Sequence, residues 1–250
     1  MKRFEGRTAL VTGAGSGIGR ATALRLAEEG ARIFACDIDS GGLAECEAEA
    51  KSSGARVDTH LLDVADGEAC REAVRIAKNL CGRLDVLCNI AGISMFDHMT
   101  EFSNEQWHRM VGVNLSSVFF LSQAAIPHLL ESRGNIVNMA SSAGIVGQAY
   151  NSMYCATKAG VVMLTKSMAL EYGKRGVRVN AVCPGGVNTP LTRGLVLPDG
   201  LDDQLFSKLM PLVPMAEASE IASAVAYLAS DDARYVTGSA FAIDGGQTAG

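Results

Sequence analysis

Several patterns that commit a chain to metal or disulfide chemistry are missing from this 250-residue sequence. Its seven cysteines are odd in number and form no Cys-x-x-Cys pair. They therefore indicate small, buried apolar side chains in a reducing compartment and no disulfide framework. The four histidines, which show no metal-ligand spacing, are His60, His98, His108 and His128. We therefore expect no metal site.

A basic surface and a long apolar segment are also missing. The formal net charge is −5 and no basic stripe stands out, so nucleic acid is not an expected partner. The N-terminal apolar run is too short for the core of a signal peptide and carries no cleavage pattern. The longest apolar stretch, around Val118–Leu130, is interrupted by Ser, Gln, Pro and His, so no bilayer span is expected. These absences predict a cytoplasmic protein without a membrane partner.

What the chain does have is an alternation of short apolar, β-branched runs with longer runs of helical periodicity. The predicted strands are Thr8–Thr12, Arg32–Cys36, Val57–Leu62, Leu84–Asn89, Asn135–Ala140, Val177–Cys183 and Phe241–Ile243. The predicted helices are Ile18–Glu29, Gly42–Ser52, Glu68–Leu80, Asn104–Glu131 with a candidate kink at Pro127, Ser152–Gly173 and Ser219–Ser230. Continuous apolar strands between helices indicate an α/β fold, a doubly wound parallel sheet of the Rossmann type with helices on both faces. Because no repeat or linker divides the chain, residues 1–250 are predicted to form one domain.

One stretch departs from this alternation. Residues 186–214 are rich in Gly, Pro, Asp and Leu and follow the sixth predicted strand. Open α/β sheets bind ligands at the carboxyl ends of their strands, so this position favours an active-site lid over a merely decorative loop.

A glycine-rich loop joins the first strand to the first helix. Gly13, Gly17 and Gly19 have the spacing Gly-x-x-x-Gly-x-Gly, whereas Ile18 stands where a strict Gly-x-Gly-x-x-Gly motif needs glycine. The three glycines can still supply a tight turn, a close backbone approach to a pyrophosphate and close helix–strand packing. The N-terminus of the helix adds free N–H groups and a positive dipole end. The loop therefore predicts a nucleotide site.

Asp37 closes the second strand, at the position where a carboxylate can accept from both hydroxyls of an adenosine ribose. A 2′-phosphate there would be repelled. The flanking Ser16 and Ile38 are not basic. The sequence therefore favours NAD over NADP as the cofactor, although Asp37 could instead be a solvated turn residue.

Tyr154 and Lys158 lie four residues apart and so share one face of a helix. Ser141 ends the fifth strand at the ligand-binding edge, and Asn114 lies in the preceding long helix. Reduction of a ketone by hydride requires a proton on the oxygen, and oxidation of an alcohol requires its removal. A tyrosine is a weak base at neutral pH, and a nearby ammonium is expected to lower its pKa. The set therefore predicts proton transfer by Tyr154, assisted by Lys158 and Ser141.

With these motifs in place, the chain resembles the short-chain dehydrogenase/reductase family over nearly its whole length. The motif matches are Thr12, Gly13, Gly17, Ile18 and Gly19 in the glycine loop, Asp63 and Val64 on the adenine side, Asn89, Ala91 and Gly92 after the fourth strand, Pro184 and Gly185 after the sixth, and Asp244, Gly245 and Gly246 near the C-terminus. The resemblance implies a catalytic tetrad of Asn114, Ser141, Tyr154 and Lys158. It further implies that Val187 contacts the nicotinamide carboxamide and that Thr189 lies near the cofactor phosphates.

The resemblance also implies features that spacing cannot reveal. These are a sheet order of 3-2-1-4-5-6-7, a bond from Lys158 to the nicotinamide ribose, and a proton-relay water held by Asn114. Relatives are usually tetramers or dimers that pack through the helices carrying Asn114 and Tyr154, so a homo-oligomer is expected. One departure is Pro211–Pro214, which reads Pro-Leu-Val-Pro and lacks an arginine that many relatives carry.

These patterns favour an NAD-dependent oxidoreductase that acts on a neutral secondary alcohol or its ketone. Its expected pocket walls are Ser94, Met95, Phe96, Ile145, Val146, Gln148 and Leu191. Two alternatives remain, an NADP-dependent 3-oxoacyl-thioester reductase acting on a carrier protein and an NAD-binding sensor or scaffold without turnover. Asp37 and the negative net charge of the chain argue against the first alternative, and the complete tetrad argues against the second.

Overall fold

Nine strands form two parallel sheets in the computed structural model, which describes residues 2–249. The strands are β1 Thr8–Thr12, β2 Arg32–Asp37, β3 Val57–Leu61, β4 Val86–Asn89, β5 Asn135–Met139, β6 Arg178–Pro184, β7 Val187–Asn188, β8 Ala216–Glu217 and β9 Ala240–Ile243. Seven of them form one parallel sheet in the order β3-β2-β1-β4-β5-β6-β9, and β7 pairs with β8 separately. Counting β9 as the seventh strand of the main sheet, the predicted order 3-2-1-4-5-6-7 is confirmed.

Helices cover both faces of this sheet. They are α1 Gly17–Glu28, α2 Ser40–Ser52, α3 Gly67–Cys81, α4 Asn104–Val111, α5 Ser117–Ser132, α6 Ser152–Tyr172, α7 Pro190–Arg193, α8 Asp203–Ser207 and α9 Ala218–Ala229. Successive residues of β1 point to opposite faces. Val11 therefore packs in a core with Leu26 of α1 and Val225 of α9, whereas Leu10 packs in another core with Leu121 of α5. All five residues of β1 are buried, which explains its continuous apolar run.

The long predicted helix at Asn104–Glu131 contains an irregular turn that the sequence analysis placed wrongly. Pro127 lies inside the regular helix α5. The irregularity is a π-helical segment, Gly112–Ser116, between α4 and α5. Such segments widen a helix locally and often occur at functional sites. This one carries Asn114.

The same helical stretch, Asn104–Ser132, is long and apolar enough to cross a membrane by length and composition. The expectation that no segment could do so was therefore too strong. Half of its apolar window is buried inside the protein, as in the core helix of a soluble domain. Length and composition are thus weak evidence for a span, and the absence of a membrane partner stays a prediction.

The predicted lid has more structure than its composition indicates. It contains α7, α8 and the strand β7, and β8 follows it directly. Thr189 caps α7 in a reciprocal capping box with Thr192, and the Asp202 side chain accepts from two backbone N–H groups of α8. Elements of two to five residues are too short to produce a recognisable hydrophobic period, so the sequence could not predict them.

Candidate active site

A crevice of about 290 Å³ opens at the carboxyl edge of the sheet, beside the neighbouring strands β1 and β4, where the strand order reverses. This is the topological switch point at which open α/β sheets bind ligands. The predicted residues that line it are Gly13, Ser16, Gly17, Ile18, Gly19, Asp37, Ile38, Asp63, Val64, Ala91, Gly92, Ser141, Tyr154, Lys158, Pro184, Gly185, Val187, Thr189 and Leu191. Further lining residues that the sequence analysis missed are Leu62, Ile90, Ile93, Arg109, Val113, Met139, Ala140, Pro190 and Thr192.

The glycine-rich loop is shaped by close backbone contacts. Gly13 and Gly17 have φ values of 71° and 49°, in the left-handed region that favours glycine. A Cβ on Gly19 would lie 1.9 Å from the carbonyl oxygen of Gly13, so helix α1 can follow β1 this closely only with glycine there. The loop thus has the compact form expected of a phosphate-binding turn.

The N-terminus of α1 is open to an anion. The N-cap residue Ser16 makes no side-chain capping bond, and the first turn of this helix carries no acidic residue. The first N–H groups of a helix have no partner within it and carry a partial positive charge. Because these groups line the crevice beside Gly17, the chain's own atoms fit the pyrophosphate of a dinucleotide.

Asp37 marks the adenosine end of the crevice. Its carboxylate accepts from the Gly15 N–H at 2.8 Å and from the Asp39 N–H at 2.9 Å, which aligns it beside the loop. Arg20 contacts the same loop, but its guanidinium donates to the Gly15 carbonyl at 3.0 Å and pairs with Glu45 at 2.8 Å. The positive charge of Arg20 is therefore already paired with the Glu45 carboxylate. The residues present therefore fit a ribose diol better than a 2′-phosphate.

Asp63 lies at the same end and forms an ion pair that the sequence did not indicate. Its carboxylate accepts from Arg109 at 2.9 Å and from the Ala65 N–H at 2.9 Å. Burial acts to raise the pKa of Asp63, but these two bonds together outweigh it and lower the pKa. Arg109 comes from α4, far away in sequence, and no motif marks it. Asp63 is thus charged and already bonded before any adenine reaches it.

A single hydroxyl shapes the floor of the crevice. The Thr12 side chain accepts from the N–H groups of Ile90 at 3.0 Å and Ala91 at 3.2 Å, which ties the end of β1 to the segment after β4. Asn89, predicted to contact the cofactor, lies behind this floor. Its side chain is buried and donates to Asn138 at 2.8 Å. Its side chain therefore supports the sheet edge rather than the crevice wall.

Tyr154 and Lys158 meet at the inner end of the crevice. The Lys158 ammonium lies 5.5 Å from the centre of the Tyr154 ring and donates to the Met139 carbonyl at 2.7 Å. The Ser141 hydroxyl interacts with the Tyr154 phenol and accepts from the Ala143 N–H at 3.2 Å. The helix α6 and the end of β5 thus bring together three members of the predicted tetrad.

The pKa shifts in this cluster correct one expectation. Burial raises the pKa of Tyr154 to about 12, although the bond with Ser141 acts in the opposite direction. Burial also lowers the pKa of Lys158 to about 8. The ammonium is directed at the Met139 carbonyl rather than at the phenol, so desolvation dominates. Lys158 therefore does not lower the pKa of Tyr154 below its ordinary value.

Asn114, the fourth tetrad member, lies behind the cluster and not on the crevice wall. From the π-helical segment its side-chain amide accepts from the Ile93 N–H and donates to the Ile93 carbonyl, both at 2.9 Å. A Cβ added to Gly92 would lie 3.2 Å from the Asn114 Oδ1 and 3.5 Å from the Lys158 Nζ. The glycine thus leaves a path between the asparagine and the lysine, as a proton relay requires.

The predicted substrate residues are divided among several places. Leu191 lines the crevice, whereas Ser94, Met95 and Phe96 line a second cavity of about 330 Å³. Three others lie outside the walls of both cavities: Ile145 and Val146 are partly exposed, and Gln148 donates to Ser142 at 3.2 Å. For these three residues a place in the substrate pocket therefore stays a prediction.

Comparison with known proteins agrees with this geometry. A family model described as enoyl-(acyl carrier protein) reductase matches residues 13–248. The chain is 41% identical over 249 residues to a 2,5-dichloro-2,5-cyclohexadiene-1,4-diol dehydrogenase of Sphingobium indicum, covering 99% of this chain and 98% of the relative. It is 40% identical over 245 residues to a 3-oxoacyl-[acyl-carrier-protein] reductase of Thermotoga maritima, covering 98% of both.

Among solved structures, carveol dehydrogenase from Mycobacterium avium in complex with NAD aligns over all of both chains, with a TM-score of 0.90 and 32% identity. The glycine loop, the Tyr154–Lys158 pair and Pro184–Gly185 are among the motifs on which the resemblance was based, and the sheet order is what it implied. They now stand beside a family match over nearly the whole chain. This chain belongs to the short-chain dehydrogenase/reductase family.

Proposed function

We propose that this chain is an NAD-dependent dehydrogenase that interconverts a secondary alcohol and its ketone. The observation that carries the proposal is one continuous crevice, with Asp37 at its adenosine end and Tyr154, Ser141 and Lys158 at the other. A dinucleotide binds along such a crevice. With its adenosine ribose at Asp37, its nicotinamide would lie beside the Tyr154 phenol, which can exchange a proton with the substrate oxygen.

The chain's own residues provide binding and proton transfer. Bound NAD supplies the acceptor for the hydride that leaves the carbinol carbon. Tyr154 removes the proton of the alcohol oxygen and returns it in the reverse direction. Ser141 interacts with the same phenol and orients the oxygen beside it. The ammonium of the buried Lys158, 5.5 Å from the centre of the Tyr154 ring, favours the phenolate form of the tyrosine.

Relatives with printed activities support this class of substrate. The Sphingobium relative is named for a cyclic diol, and the Mycobacterium neighbour is a carveol dehydrogenase in complex with NAD. In each name the group that reacts is a carbinol on a largely hydrocarbon skeleton. The apolar walls of the second cavity, Met95 and Phe96 among them, suit the same kind of substrate.

The alternative is a reductase of acyl thioesters on a carrier protein. It is favoured by the name of the Thermotoga relative and by the description of the family model. It predicts NADP as the cofactor and a basic surface that docks an acidic carrier. The carboxylate of Asp37 beside the loop, and a net charge of −5, argue against both features.

The cellular setting is part of the same proposal. We infer a cytoplasmic enzyme without nucleic-acid or membrane partners that forms a homo-oligomer, a tetramer or a dimer. Support for the oligomer comes from apolar side chains left exposed on α5 and α6, namely Phe119, Met163 and Leu170, the last with 85% exposure. Apolar side chains clustered on neighbouring helices are typical of a buried interface.

The decisive experiment measures NADH or NADPH formation over a panel of secondary alcohols, together with Asp37→Ala. Wild-type enzyme should prefer NAD, and Asp37→Ala should reduce kcat/KM for NAD by about 10- to 100-fold, because bonds from the ribose to a charged acceptor are lost. The preference for NADP should rise in parallel. Asp39→Asn, which removes a neighbouring charge but keeps an oxygen to cap α2, is the matched control. A wild-type preference for NADP, with activity on acyl thioesters only, would contradict the proposal.

A further inference from the structure

The second cavity continues the crevice beyond the catalytic groups. Ile93 lines the crevice and the next residue, Ser94, lines the cavity. Likewise Thr192 lines the crevice and Gly194 lines the cavity. Both walls therefore run on from one space to the other. A substrate whose carbinol lies beside Tyr154 can extend along these walls into the cavity.

Apolar side chains dominate the cavity walls. Those that the argument uses are Met95, Phe96, Phe102, Leu195, Val196 and Leu197. With about 330 Å³ of space, the cavity lies within the size range of small-molecule sites. Apolar walls favour a hydrocarbon substituent over a charged one, since an unpaired charge would lose its hydration there. The chemical class expected in the cavity is therefore an alkyl or cycloalkyl group.

A hydrogen bond joins the two segments that line the cavity. Asp97 and Pro198 each end a run of consecutive lining residues, and Phe102 and Gln106 line the cavity further along the chain. The residues after Asp97 and Pro198 are His98 and Asp199, and they are in contact, with the His98 Nε2 2.9 Å from the Asp199 carbonyl oxygen. This hydrogen bond ties the two lining segments to each other beside the cavity.

Tyr150, which belongs to a third segment, holds the same two segments together. Its hydroxyl accepts from the Asp202 N–H at 2.9 Å, and its carbonyl accepts from the Asp97 N–H at 2.9 Å. Its ring packs edge-on against His98, with 5.2 Å between ring centres. Tyr150 does this with φ at 62°, a conformation that costs a bulky residue energy and persists only where surrounding contacts hold it.

Resting on the function proposed above, we propose that His98 and Tyr150 form a latch that sets the depth of the second cavity. The latch selects secondary alcohols by the length of the apolar group on the carbinol carbon. Both residues act as positioning residues, because they hold the lid at Asp199 and Asp202 rather than touch the reacting atoms. Opening the latch lengthens the cavity and admits longer substrates.

The kinetic test uses a homologous series of straight-chain 2-alkanols, 2-butanol through 2-decanol, with NAD. Tyr150→Phe removes the acceptor of the Asp202 N–H and keeps the ring, and His98→Phe removes the bond to Asp199 and keeps an aromatic ring. We expect the ratio of kcat/KM for the longest to the shortest alkanol to rise about fivefold in each variant and more than tenfold in the double variant. The change should appear in KM for the alcohol rather than in kcat. Tyr235→Phe, at a side chain 99% exposed, is the matched control and should match wild type.

An unchanged ratio, or an equal loss for every chain length, would overturn the latch, since a structural defect affects all alcohols alike. Amide hydrogen exchange gives a second readout that needs no turnover. Peptides covering residues 194–207 should exchange faster in Tyr150→Phe and His98→Phe than in wild type or Tyr235→Phe, and equal protection would also overturn the latch. A wild-type enzyme that oxidises other secondary alcohols but no member of this series overturns selection by alkyl length. One that oxidises no secondary alcohol in the wider panel contradicts the proposed function, and the exchange data then decide on the latch by themselves.

Discussion

The glycine-rich loop Thr12–Gly19 and the lid that follows β6 form opposite sides of one crevice, yet they are built differently. The loop is defined by backbone: a buried strand, left-handed glycines and a helix N-terminus without a side-chain cap. The lid is defined by side chains, such as the caps at Thr189 and Asp202, and much of it is exposed. Binding of the cofactor pyrophosphate therefore depends on backbone features that few substitutions alter, whereas substrate recognition depends on side chains that can change one at a time.

The largest effect that separates the loop from the lid side of the crevice is expected for Tyr154→Phe. This substitution alters the proton transfer beside the lid and leaves the glycine-rich loop intact. Turnover should fall by about 10²- to 10⁴-fold, because the proton acceptor is removed while the ring remains. NAD affinity should stay close to the wild-type value. Initial rates of NADH formation and calorimetric titration with NAD measure the two effects. Near wild-type turnover would remove Tyr154 from its role, and a parallel loss of NAD affinity would break the separation between the two regions.

The pH profile should likewise change turnover and spare NAD binding. Oxidation needs the phenolate of Tyr154 and the ammonium of Lys158, and burial shifts their pKa values to about 12 and about 8. Oxidative kcat/KM should therefore rise about tenfold per pH unit up to about pH 8 and then level off, since phenolate gained is offset by ammonium lost.

Ketone reduction needs the phenol and the same ammonium, so its kcat/KM should be flat up to about pH 8 and fall about tenfold per unit above it. NAD affinity, supplied largely by backbone N–H groups, should vary much less. Kinetics of both directions in one buffer series test this. Identical profiles for oxidation and reduction would contradict the assignment of the proton to Tyr154.

Gly19→Ala should affect the loop and spare the lid. Its Cβ would lie 1.9 Å from the Gly13 oxygen, so the loop must shift. We expect NAD to bind about tenfold more weakly and the free energy of unfolding to fall by about 1–3 kcal/mol. Gly173→Ala, with nothing within 4 Å of the added carbon, is the control. Unchanged NAD affinity in Gly19→Ala would show that the loop tolerates side-chain change after all.

The smallest effect is expected for Glu29→Gln, which should lower the free energy of unfolding without changing NAD affinity. It tests whether an ion pair outside the crevice stabilises helix α1, which follows the loop. Glu29 is buried and accepts from Arg3 at 2.5 Å and from Arg25 at 2.6 Å. The bond with Arg3, chiefly, lowers the pKa of Glu29. Its stabilising contribution is thus present above the ordinary carboxyl pKa and is lost as the pH falls through the lowered value.

Unfolding in urea at neutral pH should show a loss of about 1–3 kcal/mol for Glu29→Gln, with NAD affinity unchanged. Glu28→Gln, at the exposed neighbouring position, should lose much less. Equal stabilities for the two variants would mean that the buried ion pair contributes nothing net.

The contrast between regions defined by backbone and regions defined by side-chain contacts explains how much of the molecule could be predicted from sequence. Thr8–Thr12 was predicted with its bounds, because a buried parallel strand is apolar throughout. Strand order, the relay water at Asn114 and the ribose bond of Lys158 came from the family resemblance, and most of the predicted cofactor residues line the crevice. Asn89 was misplaced because a sequence motif does not say towards which side of the sheet edge a side chain points.

Elsewhere the sequence carried no usable signal. Arg109 reaches Asp63 across a large separation in the chain, and such an ion pair leaves no periodic trace. The contacts of Tyr150 with Asp97 and Asp202 depend on one residue with positive φ, which no propensity indicates for tyrosine. The direction of the Tyr154 pKa shift depends on burial, and residue spacing along a helix contains no information about burial of a single phenol.

The amide of Asn114 has a consequence for any kinetic study of this enzyme. It pairs with both the N–H and the carbonyl of Ile93, much as a neighbouring strand would, and so replaces a missing ladder partner just past the sheet. A replacement at this position would leave two main-chain groups unsatisfied and let the segment drift. Loss of activity after such a replacement would therefore combine two effects, the displacement of the Ile93 segment and the loss of proton relay. Only an isosteric substitution, with cofactor affinity measured beside turnover, could separate the two.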